Sequence, residues 1–422
     1  MRLNGIFKCD MVLQADREIR VFGNADKRND SVISCLITDE AGTLICQGKT
    51  ETVEDDGSFL IRLPGTDAGG PYRLEVSSGS ERILLERIYI GEVWIAGGQS
   101  NMEYPLVRSD HAKETIDKLS ETKIHFYKVP AFGNLNDEQE EAEASSAWEV
   151  VDKNTCKDMS AVAFYFARKV LDALSEDGRK ELHIGIIGCY LGGTSISSWV
   201  SKDTLMRLTE GRRYIDEFNV LTDGISEEEY EARKAEYDLK CEVYNGRLEE
   251  LLEKDPYITY IQAEKQLGPG AWPPPYGPAC DRRPAALFEA MVLRIAPFAS
   301  RGVIFYQGET DTENHEDDYA VMFTNLIGEW RDVFLDSNLP FVFCQLPMYS
   351  LSDPVMSAEV EEKWDKLRLQ QQIVADTVPY TWQVSLIDCG EVDNIHPSEK
   401  RTPGERLADA ALRYVYMTSA SS

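Results

Sequence analysis

The chain has 422 residues, 43% of them hydrophobic and 28% charged, enough for two or three domains with a substantial core. Its 73 acidic residues against 44 Lys and Arg give a formal charge of −29, so phosphate backbones and anionic membrane surfaces are repelled and nucleic-acid and membrane partners are not expected. No apolar run approaches the roughly 20 residues that span a bilayer. The opening Met1 to Asp10 meets charge almost at once and has no apolar leader core. The nine cysteines are odd in number and lack C-x-x-C spacing, which suits buried thiols in a reducing compartment. A cytoplasmic location is expected.

Residues 1–88 carry short alternating runs such as Ile19–Phe22, Val32–Ile37 and Phe59–Leu63, separated by turn signals at Gly42, Gly57 and Pro64-Gly65. This pattern predicts a small antiparallel β-sandwich, either a stabilising appendage or a sugar-binding module. The run Arg82–Ile90 leads straight into the next domain without a flexible linker, so the two should pack firmly. From residue 89 strands and helices alternate. Strands are expected at Val93–Ala96, Ile124–Val129, His183–Ile187, Gly302–Tyr306, Pro340–Leu346 and Thr381–Ile387, and a helix at Met159–Leu174. The acidic run Asp137–Glu143 reads as a solvated loop. Alternation of this kind predicts an α/β domain over 89–422, its parallel sheet covered on both faces and its site at the strand carboxyl ends.

Residues 201–280 form an insertion. Ser226-Glu-Glu-Glu229 has capping-box spacing, and Glu227–Lys254 is a charge-rich helix with few large apolar residues. The loop Leu267–Gly277 that follows holds Trp272 and Tyr276 between prolines, where the rings either stack on a sugar face or pin the loop.

The chemistry concentrates in two places. The strand Val93–Ala96 breaks at Gly97-Gly98, and Ser100 follows, with polar Asn101 behind it. A serine just past a strand-to-helix turn is exposed near a helix N-terminus, which favours developing negative charge. Met102 stands where the nucleophile elbow G-x-S-x-G would have its second glycine. Near the other end lies Asp393-Asn-Ile-His-Pro397. Of the five histidines only His396 has a carboxylate three residues before it. In a tight turn Asp393 could hold Nδ1 of His396 and leave Nε2 to face a serine hydroxyl.

Five segments make the chain resemble the sialate O-acetylesterases of the SGNH (GDSL-like) hydrolase superfamily and the related acetylxylan esterases. They are Gly91–Leu106, Ser160–Phe166, Gly185–Thr194, Gly302–Asp311, and Asp393–Pro397 running into Gly404–Ala408. They stand in the family's order and span nearly the whole chain. Thr310-Asp311 replaces a frequent Ser-Asn, and Phe305 a frequent Trp, neither touching the acid–base chemistry.

The resemblance implies a three-layer α/β/α hydrolase domain and removal of acetyl groups from sugars by a Ser100–His396–Asp393 triad. Its oxyanion hole would combine the N–H of Ser100, an N–H from Gly192-Gly193 and the Gln307 side-chain amide. Asn101, Glu309, Trp272 and Tyr276 are the candidate substrate contacts, Glu309 bracing the loop or meeting a sugar hydroxyl. No metal or cofactor is expected, since there is no H-E-x-x-H and serine–histidine chemistry supplies its own nucleophile. Acetylated sialic acid, acetylated xylan fragments and other acetylated sugars all remain open as substrates. A non-catalytic carbohydrate-binding protein and a lipase or thioesterase are the competing classes. The latter needs an apolar lid or tunnel, and no amphipathic stretch provides one.

Overall fold

A computed structural model describes residues 1–25, 32–50, 53–179 and 181–417. Its strands, in chain order, are β1 (Arg2–Leu3), β2 (Val12–Gln14), β3 (Ile19–Asn24), β4 (Ile33–Thr38), β5 (Leu44–Thr50), β6 (Ser58–Leu63) and β7 (Gly69–Ser78). They continue with β8 (Glu81–Gly98), β9 (Ile124–Lys128), β10 (Trp148–Val150), β11 (Ile184–Tyr190), β12 (Gly302–Tyr306), β13 (Phe341–Cys344) and β14 (Thr381–Val384).

Two sheets result. Strands β1, β3 and β6 form a small antiparallel sheet, while a larger mixed sheet runs β10-β9-β11-β8-β12-β13-β14. From β9 to β14 along that path all neighbours are parallel, and only the edge strand β10 is antiparallel. The fully buried runs Ile184–Tyr190, Gly302–Tyr306 and Phe341–Cys344 are what a sheet covered by other structure requires. The helices Ala161–Glu176 and Arg401–Ala411 pack against each other, as do Tyr319–Val333 and Pro354–Thr377.

Strand β8 is 18 residues long and crosses the boundary expected at residue 88. Its first part pairs antiparallel with β7, Tyr89–Gly91 pairs with β2, and Glu92–Gly98 pairs with β11. At the crossing the buried carboxylate of Glu92 accepts Arg301 Nε at 2.6 Å and Nη2 at 2.9 Å, and Gln14 Nε2 at 3.1 Å. Two charges taken out of water together and fully hydrogen-bonded are tolerable where either alone would not be. Arg17 and Arg20 add bonds to Ser300 and Phe334 carbonyls and to Asp336.

Two local expectations need correction. Asp137–Ser145 is a helix, not a loop, because Asn136 accepts the Gln139 N–H as its cap and Glu143 turns inward to pair with Arg294. Ser226 does accept the Glu229 N–H at 3.1 Å, but only that half of the expected capping box forms; a full box occurs later, at Thr259 and Gln262. No helix of the described residues is long and apolar enough to cross a membrane.

Candidate active site

The sheet reverses its direction of growth at β8, with β9 and β11 on one side and β12 to β14 on the other. Ligands of open parallel sheets bind at such a point, outside the strand carboxyl ends. Here β8 ends in Gly98, at φ +136, where a Cβ would lie 2.0 Å from the Tyr306 carbonyl oxygen. Only glycine lets β8 and β12 approach this closely as the chain leaves the sheet. Ser100 then opens a one-turn helix, Ser100–Glu103.

Ser100 Oγ lies 2.9 Å from Nε2 of His396, although 296 residues separate them. The histidine loop is tied internally. The His396 N–H donates to Asn394 Oδ1 at 3.0 Å, and Glu391 accepts Asn394 Nδ2 at 2.7 Å and the Ser398 N–H at 3.2 Å. Burial, reinforced by the nearby Lys400 ammonium, pushes the imidazole down to about 4. At neutral pH the ring is therefore an uncharged base beside a hydroxyl, ready to accept its proton.

Beneath this pair lies a buried bridge that spacing alone does not reveal. Lys400 Nζ donates to Asn101 Oδ1 at 2.6 Å, and Asn101 Nδ2 donates to Glu309 Oε1 at 2.5 Å and to the Ile395 carbonyl at 3.1 Å. All three side chains are almost wholly buried, and Lys400 sits 4.7 Å from the Tyr104 ring centre. Burial lowers Lys400 to about 8 and raises Glu309 to about 7. Glu309 Oε2 is buried without a hydrogen-bond partner among the described residues. Glu309 thus braces Asn101, the residue after Ser100.

Two expected contacts, those of Asp393 and Gln307, are not made, and the Gly192-Gly193 pair is narrowed to one glycine. Asp393 adopts φ +57, and its exposed carboxylate accepts the Ser352 N–H at 2.8 Å and the Ser352 hydroxyl. The left-handed turn points it away from the ring, and no carboxylate of the described residues hydrogen-bonds His396. Gln307 is a structural hub. Its Nε2 donates to Gln99 Oε1 at 3.1 Å, Thr194 O at 3.1 Å and Asp311 Oδ2 at 2.5 Å, while Tyr319 donates to its Oε1. With both amide ends engaged it has no hydrogen to offer an oxyanion. The Gly192 N–H donates to Glu103 Oε2 at 2.8 Å. Of the expected oxyanion donors, the N–H groups of Ser100 and Gly193 have no protein acceptor among the described residues.

Ser100 and His396 open into a cleft of about 490 Å³, walled by Glu103, Tyr104, Lys128, Asp158 and Tyr260. Lys128 lies 3.5 Å from Glu103. None of these five was singled out from the sequence. Glu103 could have been found, being one helical turn after Ser100, but Lys128 and Tyr260 come from distant segments. Trp272 rests on Gly193, where a Cβ would fall 2.1 Å from its ring. Tyr276 lines a separate cavity next to that turn.

A serine hydroxyl on a neutral imidazole, at the carboxyl ends of parallel strands and near free backbone donors, is an arrangement suited to acyl transfer from an ester. Residues 276–413 match the family model described as carbohydrate esterase, sialic acid-specific acetylesterase. The chain is 25% identical over 405 residues to the sialate O-acetylesterase of Mus musculus, covering 88% of this chain and 67% of that protein. To the Homo sapiens protein it is 22% identical over 380 residues, covering 85% of this chain and 61% of that one. A solved carbohydrate acetylesterase from Xanthomonas citri superposes with a TM-score of 0.69 at 22% identity, covering 99% of this chain and 75% of that chain, which shows a shared fold. Over most of its length the chain is thus similar to sialate O-acetylesterases, and over residues 276–413 it matches the carbohydrate esterase model.

Proposed function

We propose that this protein is a carbohydrate O-acetylesterase that uses Ser100 as nucleophile and His396 as general base and acid. The observation that carries the assignment is the 2.9 Å contact between Ser100 Oγ and a neutral His396 Nε2 at the sheet's carboxyl edge. Ser100 Oγ attacks the acetyl carbonyl carbon while its proton passes to Nε2. The oxyanion that forms is held by the N–H groups of Ser100 and Gly193, each such donor being worth roughly 3 kcal/mol of barrier. Collapse breaks the ester bond, and the imidazolium returns its proton to the departing sugar oxygen, leaving acetyl-serine. Water, deprotonated by the same nitrogen, then attacks the acetyl-serine; acetate leaves and the serine proton is restored.

Asp393 acts at one remove, by holding the histidine loop against Ser352. The parallel sheet is read as the core of an SGNH-type three-layer domain, and the β1-β3-β6 sheet with β4, β5 and β7 as the preceding antiparallel sandwich. The sugar lies in the cleft by Glu103 and Tyr104, with Trp272 as a stacking face. Acetate release from a panel of acetylated sialic acids, xylose derivatives and hexoses tests the assignment. Absence of acetate from every member, with nitrophenyl acetate also intact, overturns it in favour of a binding protein.

A further inference from the structure

The insertion after β11 encloses a second space that the acyl chemistry does not use. It is a cavity of about 210 Å³ between the helix Thr209–Thr222, the proline-rich loop and the segment following β12. Its inner edge is Gly193 and Thr310. Gly193 shares a turn with Gly192, whose N–H is bonded to Glu103 in the Ser100 cleft. One two-glycine turn, with the Trp272 ring resting on it, therefore borders both spaces.

The walls have the chemistry of sugar recognition. The Arg282 guanidinium lies 5.0 Å from the Tyr276 ring centre and 5.2 Å from that of Trp272. It donates through Nη2 to the Pro274 carbonyl and has no carboxylate partner among the described residues, in a chain of net charge −29. Its remaining N–H donors form a planar fork beside aromatic faces. Opposite, Glu217 is fixed by Asn314 Nδ2 at 2.5 Å and His315 Nε2 at 2.6 Å, and His315 stacks on Tyr214 at 3.7 Å. A ring face on an aromatic, with hydroxyls meeting preset planar donors and acceptors, is how a pyranose is held in such a site.

The cavity is also rigidly tied to the nucleophile. Tyr214 OH donates to Asp311 Oδ1 at 2.9 Å, Asp311 Oδ2 accepts Gln307 Nε2, and Gln307 reaches Gln99 beside Ser100. Its distance from the reacting serine is therefore fixed by a continuous run of buried hydrogen bonds.

We propose that this cavity is a subsite for the sugar unit adjoining the acetylated one, so that the enzyme acts on acetylated oligosaccharides in preference to acetylated monosaccharides, with Arg282 as a specificity-determining residue. The proposal rests on the esterase assignment above and deepens it. The full chain is assayed on nitrophenyl acetate and on matched pairs: acetylated xylose against acetylated xylo-oligosaccharides, and O-acetyl sialic acid against O-acetyl sialyl-lactose. In at least one pair the oligosaccharide has the higher kcat/KM by about tenfold or more, the scale of one well-placed contact set. Arg282→Met removes the fork, and Leu221→Trp fills the cavity from a half-exposed helical position. Both bring that ratio towards one, with thermal midpoints recorded as the folding control. A ratio near one in every pair for the wild type, or a ratio unmoved by both variants, overturns the subsite while leaving the esterase standing. Failure on nitrophenyl acetate and all sugars overturns both.

Discussion

The acid limb of the pH–rate profile should lie far below that of an ordinary histidine base. His396 is displaced from 6.5 to about 4, first by burial and second by the Lys400 charge. That displacement corresponds to about 3 kcal/mol in favour of the neutral ring. At pH 5 an unperturbed imidazole would be about 3% neutral, whereas one titrating near 4 is about 90% neutral, a difference of roughly thirtyfold in active enzyme. The measurement is kcat/KM for acetate release between pH 3.5 and 9, since that parameter reports the free enzyme. Lys400→Met should move the limb upward by less than the whole distance, because burial is the larger cause. Glu309 titrates near 7, so an inflection there is expected to vanish in Glu309→Gln, while Lys400, near 8 beside the Glu309 charge, shifts lower. A single limb at 6 to 7 that persists in Glu309→Gln would refute the reasoning, since the base would then be an unperturbed histidine. The same displacement contributes stability that is present above pH 6.5 and lost as the pH falls from 6.5 towards 4, because the unfolded chain binds the proton more readily.

Three further outcomes follow from the site. Ser100→Ala should lower kcat by roughly 10⁶ with an unchanged thermal midpoint, and persistent turnover would remove the serine mechanism. Asp393→Asn should cost less than about tenfold, against the roughly 10⁴ seen when the replaced aspartate sits on the imidazole; a loss of that larger size would mean Asp393 leaves Ser352 during turnover. Gln307→Leu should destabilise the fold by about 1–3 kcal/mol in denaturant melts, because Asp311 and Gln99 lose a buried donor, whereas an oxyanion donor would cost kcat about 10²–10³ at constant stability.

That Ser100 and His396 would be candidates at the sheet edge could be anticipated from the chain because each carries a local signal. An apolar strand run breaking into Gly97-Gly98 places Ser100 at a sheet edge, and Asp393-x-x-His396 is a loop motif with a base in it. The strands of the parallel sheet were legible for the same reason, as buried runs without polar alternation. What escaped depends on partners remote in sequence. Spacing cannot tell which way a turn faces, and Asp393 at φ +57 finds Ser352, 41 residues earlier. Gln307 could be recognised but not its partners, which lie at Gln99, Thr194, Asp311 and Tyr319. The acidic run before Glu143 looked solvated because Arg294, 151 residues away, was invisible to it. Lys400 gave no signal, since one lysine among many is ordinary until its burial is known.

The long strand β8 makes the first eighty residues part of the enzyme's chassis. A cut at residue 88 would remove the β7 pairing, the β2 register at Val12, Leu13 and Gln14, and the Gln14 bonds to Val93 N–H and Glu92. The remaining strand, Tyr89–Gly98, would then enter the active site with its first residues unpaired and without the Gln14 bond to Glu92. A chain built this way cannot exchange its N-terminal part as a cassette while keeping Ser100 in place. The segments that follow the strands are freer: the helices and loops over residues 201–280 can vary and reshape the approach to Ser100 without touching the beam that carries it.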